Sequence, residues 1–224
     1  MTIEDAFALL KALKKAGYIK NERDPLWWPQ SGTFEVLVGA ILTQQTKWEN
    51  VERALDNLKN ENLLHPEALV KLDITHLKTL IRPAGFYNTK APRLQALVRA
   101  MLADFGDFKT FQKNVTRRWL SAQKGIGNET ADSILCYGCL REVMVVDSYT
   151  ARLLHALGYT FESYDEIQTW FYEGLEGRLN EVETLYGEAV SMQTIYARLH
   201  GKIVEFAKEH IRGKQVNTEA LTSF

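Results

Sequence analysis

The sequence predicts an all-α protein of roughly ten helices, because apolar residues recur at helical spacing along nearly the whole chain. A second observation supports this class: no stretch alternates between apolar and polar residues as a half-buried strand does. A third is that Gly, Pro and Asp residues stand where these helices would begin and end. The chain has 224 residues, of which 46% are apolar, and this is enough for one large core or two small ones.

The predicted helices follow one another with short connections. The first carries Ile3, Phe7 and Leu10 on one face and ends at Gly17. The others are residues 34–44, one carrying Val51 and Leu58, a short helix from Pro66, one capped by Asp73 and stopped by Pro83, 89–105, one ending near Ala122, 129–139, 148–157, one carrying Ile167 and Leu175, and 181–210. Residues 34–44 are apolar nearly all round, so this helix is predicted to be central and buried. The tail from Arg212 is polar and is predicted to fray.

The net charge of −1 at neutral pH argues against a protein that coats DNA without specificity. A local basic patch would still allow DNA binding. Basic residues gather just before and within one predicted turn, and they are Lys109, Lys113, Arg117, Arg118 and Lys124. As a group they favour a phosphate-binding surface, although each alone also fits an ordinary solvated helix face.

The chain has two cysteines, Cys136 and Cys139, at C-x-x-C spacing. That spacing is compatible with redox chemistry, but the sequence around it lacks the strands of a thioredoxin-like unit. Two buried thiols inside an apolar helix are therefore predicted, which is typical of a cytosolic protein. No apolar run is long enough to cross a bilayer and no signal peptide is recognisable, so we expect a cytoplasmic protein without membrane contact.

A tight turn at residues 124–127, Lys124-Gly125-Ile126-Gly127, separates two predicted helices. Its glycines are able to adopt positive φ and leave the backbone open to a ligand. Asn128 is a favoured N-cap for the helix that follows, and the amides there form a site suited to a phosphate. An ordinary helix–helix turn is the alternative interpretation of the same residues.

An apolar loop at residues 143–146 leads to Asp147, which precedes a helix starting at Ser148. Aspartate is a favoured N-cap, and a helix N-terminus stabilises its charge. Asp147 is therefore predicted to cap this helix and to stay ionised at neutral pH. A fixed carboxylate in a partly dry site is suited to stabilise a developing positive charge or to activate a water molecule.

Three segments of the chain resemble the helix-hairpin-helix DNA glycosylases of the endonuclease III superfamily. In that family a G-[IV]-G hairpin is followed by V-D-[ST], which corresponds here to Gly125-Ile126-Gly127 and Val146-Asp147-Ser148. The sequence AGFYNTKA at residues 84–91 resembles the family's G-[FLY]-Y-x-x-K-A segment. The sequence LTQQT at residues 42–46 resembles its L-[ST]-x-Q-[AT] helix end. The matches stand in the family's order and span most of the chain.

The resemblance implies two helical domains flanking a cleft that holds the active site. It divides the chain into a central domain, 33–140, which ends in the helix-hairpin-helix with its hairpin at 124–127, and a second domain built from 1–32 and 141–224. It also implies DNA contacts from Gln45, Lys124, Gly125, Ile126, Gly127, Asn128 and Thr130. Gln45 matches the residue that fills the gap left by an extruded base, and a plain polar residue at a helix end is the alternative.

The resemblance assigns Asp147 the role of catalytic carboxylate. Members that also cut the DNA strand carry a lysine just after the hairpin. This chain has Glu129 there, and a carboxylate cannot form the imine that such cutting requires. The family's iron–sulfur cluster needs four cysteines near the C-terminus, and none follows Cys139. We therefore expect a glycosylase that uses water, with no iron–sulfur cluster, no other cofactor and no metal.

Aromatic residues indicate which base such an enzyme would accept. The predicted pocket comprises Trp27, Trp28, Pro29, Trp48, Glu129 and Lys202. Together with LHGKIVEF at residues 199–206, the aromatic residues resemble the third bacterial type of 3-methyladenine DNA glycosylase. Their faces would stack on electron-poor alkylated purines, whereas a plug over the core is the alternative for the paired tryptophans. Lys202 either extends to water or is covered and able to meet Asp147.

The sequence thus predicts a monofunctional DNA glycosylase that removes alkylated purines such as 3-methyladenine from double-stranded DNA. One alternative is a bifunctional glycosylase with lyase activity, which Glu129 disfavours. Another is a non-catalytic helix-hairpin-helix module that only holds DNA, which Asp147 and the aromatic residues disfavour. We expect a monomer in the bacterial cytoplasm whose partner is DNA with alkylated bases. The preference among lesions depends on pocket shape, which the sequence does not reveal.

Overall fold

The computed structural model describes residues 3–19, 25–213 and 215–222 and is mostly helical. Residues 1–2, 20–24, 214 and 223–224, all in the predicted second domain, lie outside these ranges. The all-α prediction is confirmed. The described residues form fourteen α-helices, more than predicted, in part because the predicted last helix is divided in two and a further helix lies in the tail. In the same ranges, no helix has both the length and the apolar character needed to cross a bilayer.

The bounds of the elements in chain order are as follows. The α-helices are α1 (Ala6–Lys15), α2 (Phe34–Leu42), α3 (Trp48–Asn60), α4 (Pro66–Lys71), α5 (Ile74–Leu80), α6 (Tyr87–Phe105), α7 (Phe108–Asn114), α8 (Arg117–Ser121), α9 (Asn128–Ser133), α10 (Ser148–Ala156), α11 (Tyr164–Leu175), α12 (Leu179–Tyr186), α13 (Met192–His210) and α14 (Glu219–Thr222). A 3₁₀ helix covers Arg82–Ala84, a π-helix covers Ile134–Gly138, and the strands are β1 (Ile211–Arg212) and β2 (Gln215–Val216).

Contacts divide the chain into two compact units. The central unit is Gln30–Leu140, and the terminal unit is Met1–Pro29 with Arg141–Phe224. Helix α2 is the buried helix of the central unit: all its residues except Glu35 are buried, as its apolar sequence predicts. The Glu35 carboxylate meets Lys59 of α3 at 2.7 Å, so the one charged side chain of α2 is paired.

The buried side chain of Lys90 lies at the end of α2. Its buried ammonium donates to the carbonyls of Leu42 (2.7 Å) and Ala84 (2.8 Å) and to Thr46 Oγ1 (2.7 Å). Burial lowers the pKa of Lys90 to about 8. Helix α2 stops at Leu42, two residues earlier than predicted, and Lys90 bonds one of the carbonyls that the helix end leaves without a partner in the helix. Gln45 consequently lies in the turn after the helix, with φ of 53°.

The helix predicted at 129–139 is not regular. It is α-helical only to Ser133 and continues as the π-helix. Burial raises the pKa of the Cys136 thiol, as expected for a structural cysteine. Cys139 is only half-buried, because it lies at the end of the π-helix, so the prediction of two buried thiols is correct for Cys136 alone.

The core of the terminal unit is formed by apolar side chains of α1, α10, α11 and α13. Helices α1 and α11 approach closely at Gly174. A Cβ at that position would lie 2.6 Å from the backbone nitrogen of Ala6, a distance that real structures exclude. Glycine is therefore required at this crossing, where the two backbones are nearly in contact.

The single last helix predicted from residue 181 is wrong. Helix α12 ends at Gly187, which takes the left-handed conformation (φ 73°) that glycine adopts without penalty. Helix α13 then begins after Ser191, whose hydroxyl accepts a hydrogen bond from the Thr194 amide at 3.2 Å. A C-cap and an N-cap thus separate two helices whose apolar stripes read as one in the sequence.

The fraying predicted from Arg212 is also wrong for the described residues. Strands β1 and β2 pair antiparallel, with Ile211 opposite Val216. Helix α14 follows, and its Leu221 is 1% exposed within the terminal core. Burial of this apolar side chain holds the tail in place, although most of its residues are polar.

Candidate active site

The loop that leads to Asp147 is held by side chains of α11. The amides of Met144 and Val146 donate to two tyrosine hydroxyls at 3.3 and 3.2 Å, and a glutamine side chain donates to the Met144 carbonyl at 2.7 Å. The α11 residues are Tyr164, Gln168 and Tyr172. They are spaced one turn apart, so a single helix face satisfies backbone groups that a neighbouring strand would otherwise bond. This face fixes the point at which Asp147 enters the site.

Asp147 caps α10, as predicted. Its Oδ1 accepts hydrogen bonds from the Thr150 amide (2.7 Å) and hydroxyl (2.8 Å). Its Oδ2 lies 3.8 Å from His200 Nε2, which is longer than a hydrogen bond but close enough for electrostatic attraction. The side chain is 13% exposed, so it is largely shielded from water.

The environment of Asp147 favours the ionised form. Burial raises its pKa, but the neighbouring His200 and the hydrogen bonds from Thr150 outweigh burial and hold the pKa below its usual value of 3.8. The carboxylate is therefore charged at neutral pH without being fully solvated. Such a group is able to stabilise a developing positive charge or to take a proton from water.

His200 is the neighbour of Asp147 that our sequence analysis missed. It is 4% exposed, and its ring meets the ring of Trp27 edge to face, with centroids 5.4 Å apart. The one available sign was its place on α13: it follows Tyr196 by one turn and precedes Ile203, both of which are buried. Its position on the buried face of a helix predicts that the histidine is buried, but it does not predict which residues surround it.

The loop carrying the paired tryptophans rests on α13. Arg198 donates to the Pro25 carbonyl at 3.0 Å. Trp27 lies against Gly201, where a Cβ would come within 2.3 Å of the indole Cγ. Trp28 is 6% exposed, in keeping with a plug, whereas Trp27 is half-buried beside His200. Pro29 is also half-buried.

Lys202 does not extend to water, so that interpretation is wrong. It is 5% exposed, its ammonium donates to the Tyr18 carbonyl, and the Tyr186 ring centroid is 5.8 Å away. Burial, followed by the charges of Lys14 and Arg198, lowers its pKa to about 8. The tertiary packing of α13 thus covers the lysine, and its amine donates to the Tyr18 carbonyl, not to Asp147.

Replacing Lys202 by methionine tests this burial through pH. The folded lysine loses its proton near pH 8 and the unfolded one near 10.5, so the unfolded state binds more protons between those values. The free energy of unfolding of wild type, relative to that of Lys202→Met, should therefore increase as pH rises through this window. The increase should be lost as pH falls. Urea denaturation at about pH 7 and about pH 10 measures it. Lys208→Met, at an exposed position of α13, should show no such gain; an equal gain there would contradict the assignment.

The predicted hairpin is present in the central unit. Gly125 has φ of 85°, as expected, but Gly127 is extended and is itself the N-cap of α9, so the prediction that Asn128 caps this helix is wrong. Extended backbone at Gly127 starts the helix one residue early, and Asn128 becomes its first residue. Lys124, Asn128 and the two glycines are exposed, whereas Ile126 is buried beneath the turn.

Thr130 braces the hairpin from inside. It is 9% exposed, and the Gln44 side-chain amide bridges its hydroxyl (3.0 Å) and the Gly125 carbonyl (2.9 Å). Glu129 is exposed on the preceding position. Gln44 lies in the LTQQT segment, and its side chain ties the turn after α2 to the hairpin.

The basic cluster is divided between two roles. Arg117 makes a bidentate pair with Asp132, which is 0% exposed, at 2.8 and 3.1 Å. This arginine neutralises a buried carboxylate and belongs to the framework. The remaining members of the cluster are exposed, and they are Lys109, Lys113, Arg118 and Lys124.

Two exposed residues lie on either side of the Lys90 ammonium and its hydrogen bonds in the central unit. Gln45 stands on the turn after α2, and Phe86, at the start of α6, is 63% exposed with φ of 46°. The Lys90 ammonium lies 5.9 Å from the Phe86 ring centroid and also binds the turn that carries Gln45. Trp48, the first residue of α3, is half-buried. Within the described ranges, no group of His, Cys, Asp and Glu side chains is arranged to hold a metal ion.

Known proteins similar to this chain agree with the motifs and the fold. The family description "HhH-GPD superfamily base excision DNA repair protein" matches residues 38–175. A protein of Methanocaldococcus jannaschii, assigned by name to the DNA repair glycosylases, is 42% identical over 84% of this chain and 82% of that protein. The crystal structure of H. pylori 3-methyladenine DNA glycosylase bound to 1,N6-ethenoadenine is 45% identical, with a TM-score of 0.89 over 93% of this chain and 100% of that one.

A more distant likeness concerns the fold alone. A trapped endonuclease III–DNA covalent intermediate has a TM-score of 0.67 at 17% identity, over 92% of this chain and 87% of that one. The resemblance recognised in the sequence is therefore confirmed at the level of the family, since the match covers more than half of the chain. This chain belongs to the HhH-GPD superfamily of base excision DNA repair proteins.

Proposed function

We propose that this protein is a monofunctional DNA glycosylase that hydrolyses the N-glycosidic bond of alkylated purines, such as 3-methyladenine, in double-stranded DNA. The observation that carries the proposal is the largely buried, ionised carboxylate of Asp147 beside His200, whose ring in turn contacts Trp27. The similarity to the H. pylori 3-methyladenine enzyme over 93% of the chain supports the substrate class.

Asp147 would act on the sugar. Cleavage of an N-glycosidic bond builds positive charge on the sugar in an oxocarbenium-like transition state, and a nearby carboxylate lowers the energy of that charge. Thr150 engages Oδ1 with both its amide and its hydroxyl, which leaves Oδ2 as the oxygen available to the reaction. The same oxygen could orient a water molecule for attack on the sugar.

Water is the nucleophile in this proposal because no lysine is suitably placed in the sequence motif. Glu129 occupies the position after the hairpin where bifunctional relatives carry their lysine, and a carboxylate forms no imine. The Lys202 amine, the other candidate, is engaged with the Tyr18 carbonyl. Both observations support base release without strand cleavage.

Alkylated purines are suited to an aromatic pocket. Alkylation weakens the glycosidic bond and leaves the purine electron-poor, so stacking on an indole face assists recognition while the chemistry needs less help. Trp27 is half-buried beside His200 and could supply such a face. Trp28, Pro29 and Trp48 remain proposed pocket residues.

The central unit would hold the DNA. The exposed hairpin residues Lys124, Gly125, Gly127 and Asn128 would meet the phosphate backbone. Gln45 and Phe86 are exposed on turns joined by Lys90, and an apolar ring beside a polar side chain is suited to fill a stack from which a base has been extruded.

We also propose that the protein works without an iron–sulfur cluster. Such a cluster requires four thiolates, and the chain carries only Cys136 and Cys139. Cys136 is enclosed in the π-helix, with its pKa raised by burial, so the residues present do not fit the cluster.

Incubation with methylated duplex DNA tests the proposed function. Chromatography should find 3-methyladenine among the bases released, and a denaturing gel should show the abasic strand uncut. Borohydride should trap no covalent adduct, because the proposed nucleophile is water. A robust adduct would overturn the monofunctional mechanism. Release of uracil or oxidised pyrimidines alone would overturn the substrate class and leave the family unaffected.

A further inference from the structure

Arg93 of α6 lies directly against the hairpin. If Gly125 carried a Cβ, that atom would lie 2.7 Å from Arg93 Cδ and 2.8 Å from both Nε and Nη1. Non-bonded carbon and nitrogen atoms do not approach so closely, so the arginine arm passes over the Gly125 Cα. The glycine therefore has a second function besides its φ of 85°: it leaves room for a guanidinium at the hairpin.

The Arg93 guanidinium has no partner in the part of the chain that the structure describes. It takes part in no hydrogen bond, ion pair or ring contact there. Other arginines differ: Arg117 binds Asp132, and Arg198 binds both Glu188 and the Pro25 carbonyl. A guanidinium carries five N–H donors and no acceptor, so a half-buried one without a protein partner is suited to an external anion.

The surroundings of Arg93 indicate the class of anion. The guanidinium lies against the exposed backbone of Gly125, in the same hairpin that carries the exposed Lys124. Planar N–H pairs match the geometry of phosphate oxygens. We propose that Arg93 is a phosphate-binding residue, which contacts a phosphodiester of the DNA strand held by the hairpin. The proposal rests on the proposed function only in requiring that the hairpin meets DNA.

The salt dependence of binding tests this role. Removing one phosphate contact should lower the slope of log K against log salt by about 0.9, whatever the DNA sequence. Arg93→Gln should show this change on undamaged duplex, with affinity reduced about tenfold at low salt. The matched control is Arg99→Gln, which removes the same charge from an exposed arginine of α6 that donates to the Val70 carbonyl at 3.4 Å.

The outcomes separate this proposal from its alternatives. Arg93→Lys should keep most of the slope, because the charge remains, but should bind less tightly since the planar fork is lost. A slope for Arg93→Gln equal to that of wild type, or to that of Arg99→Gln, would overturn the phosphate role. Base release is measured in parallel on methylated DNA. If wild type frees no alkylated purine yet shows the Arg93-dependent slope, the proposed function fails and the phosphate site stands.

Discussion

Asp147→Asn is expected to lose nearly all base release while leaving DNA binding close to that of wild type. Asparagine is as good an N-cap as aspartate, so α10 should still begin at Ser148. What is lost is the charge, which matters only when the sugar becomes positive in the transition state. We expect excision to fall on the order of 10²–10³-fold, the usual effect of removing one preorganised electrostatic group. Single-turnover release of methylated purines and a binding titration measure the two properties.

Asp107→Asn is the matched control for this change. Asp107 caps α7 through the Thr110 amide at 2.6 Å, so its replacement alters an aspartate N-cap in the same way. Excision by the control should equal that of wild type. Near-normal excision by Asp147→Asn, with an unchanged melting temperature, would exclude Asp147 as the catalytic carboxylate.

Gly201→Ala is expected to reduce excision by displacing Trp27. The new methyl group would lie 2.3 Å from the indole Cγ, so the ring must move away from His200. If Trp27 stacks on the substrate base, the activation free energy of base release should rise by on the order of 1–3 kcal/mol. Trp27→Ala should cost about the same. The double variant should be no worse than Trp27→Ala alone, because the clash and the contact concern one ring.

Gly138→Ala provides a control in a helical glycine that tolerates a methyl group. A Cβ there would meet Val36 at 3.5 Å, an ordinary contact, so excision and melting temperature should change little. Additive losses in the Gly201→Ala, Trp27→Ala double variant would show that Gly201 acts otherwise than through Trp27. Unchanged excision by Gly201→Ala would remove Trp27 from the substrate pocket.

Features that depend on neighbours along the chain could be predicted from the sequence. Asp73 accepts from the Thr75 and His76 amides, Pro66 opens α4, and Gly106 ends α6 with φ of 80°. Caps of this kind follow from the backbone needs of one helix end and the chemistry of one residue. The all-α class and the superfamily were predictable for a related reason, since helical periodicity and short motifs are both local patterns.

Local patterns were misleading in two places: where one apolar stripe runs through two helices, and in the polar tail. The apolar positions of α12 and α13 continue the same periodicity, and the cap pair at Gly187 and Ser191 was the weaker signal. The tail after Arg212 is polar on average, yet one residue, Leu221, is buried and holds it. In both places one or two residues outweighed the average character of the segment.

By itself, then, the sequence determined the helical class, most helix ends, the family, and Asp147 as the residue at the head of α10. Only the tertiary structure decided what surrounds these residues. It brought His200 to 3.8 Å from Asp147, placed Trp27 on Gly201, and laid Arg93 over Gly125. It also covered Lys202, which the sequence alone left either extended to water or buried. The physical reason is the same in each case: burial and charge pairing depend on side chains that arrive from distant parts of the chain, and these carry no signal at the position they affect.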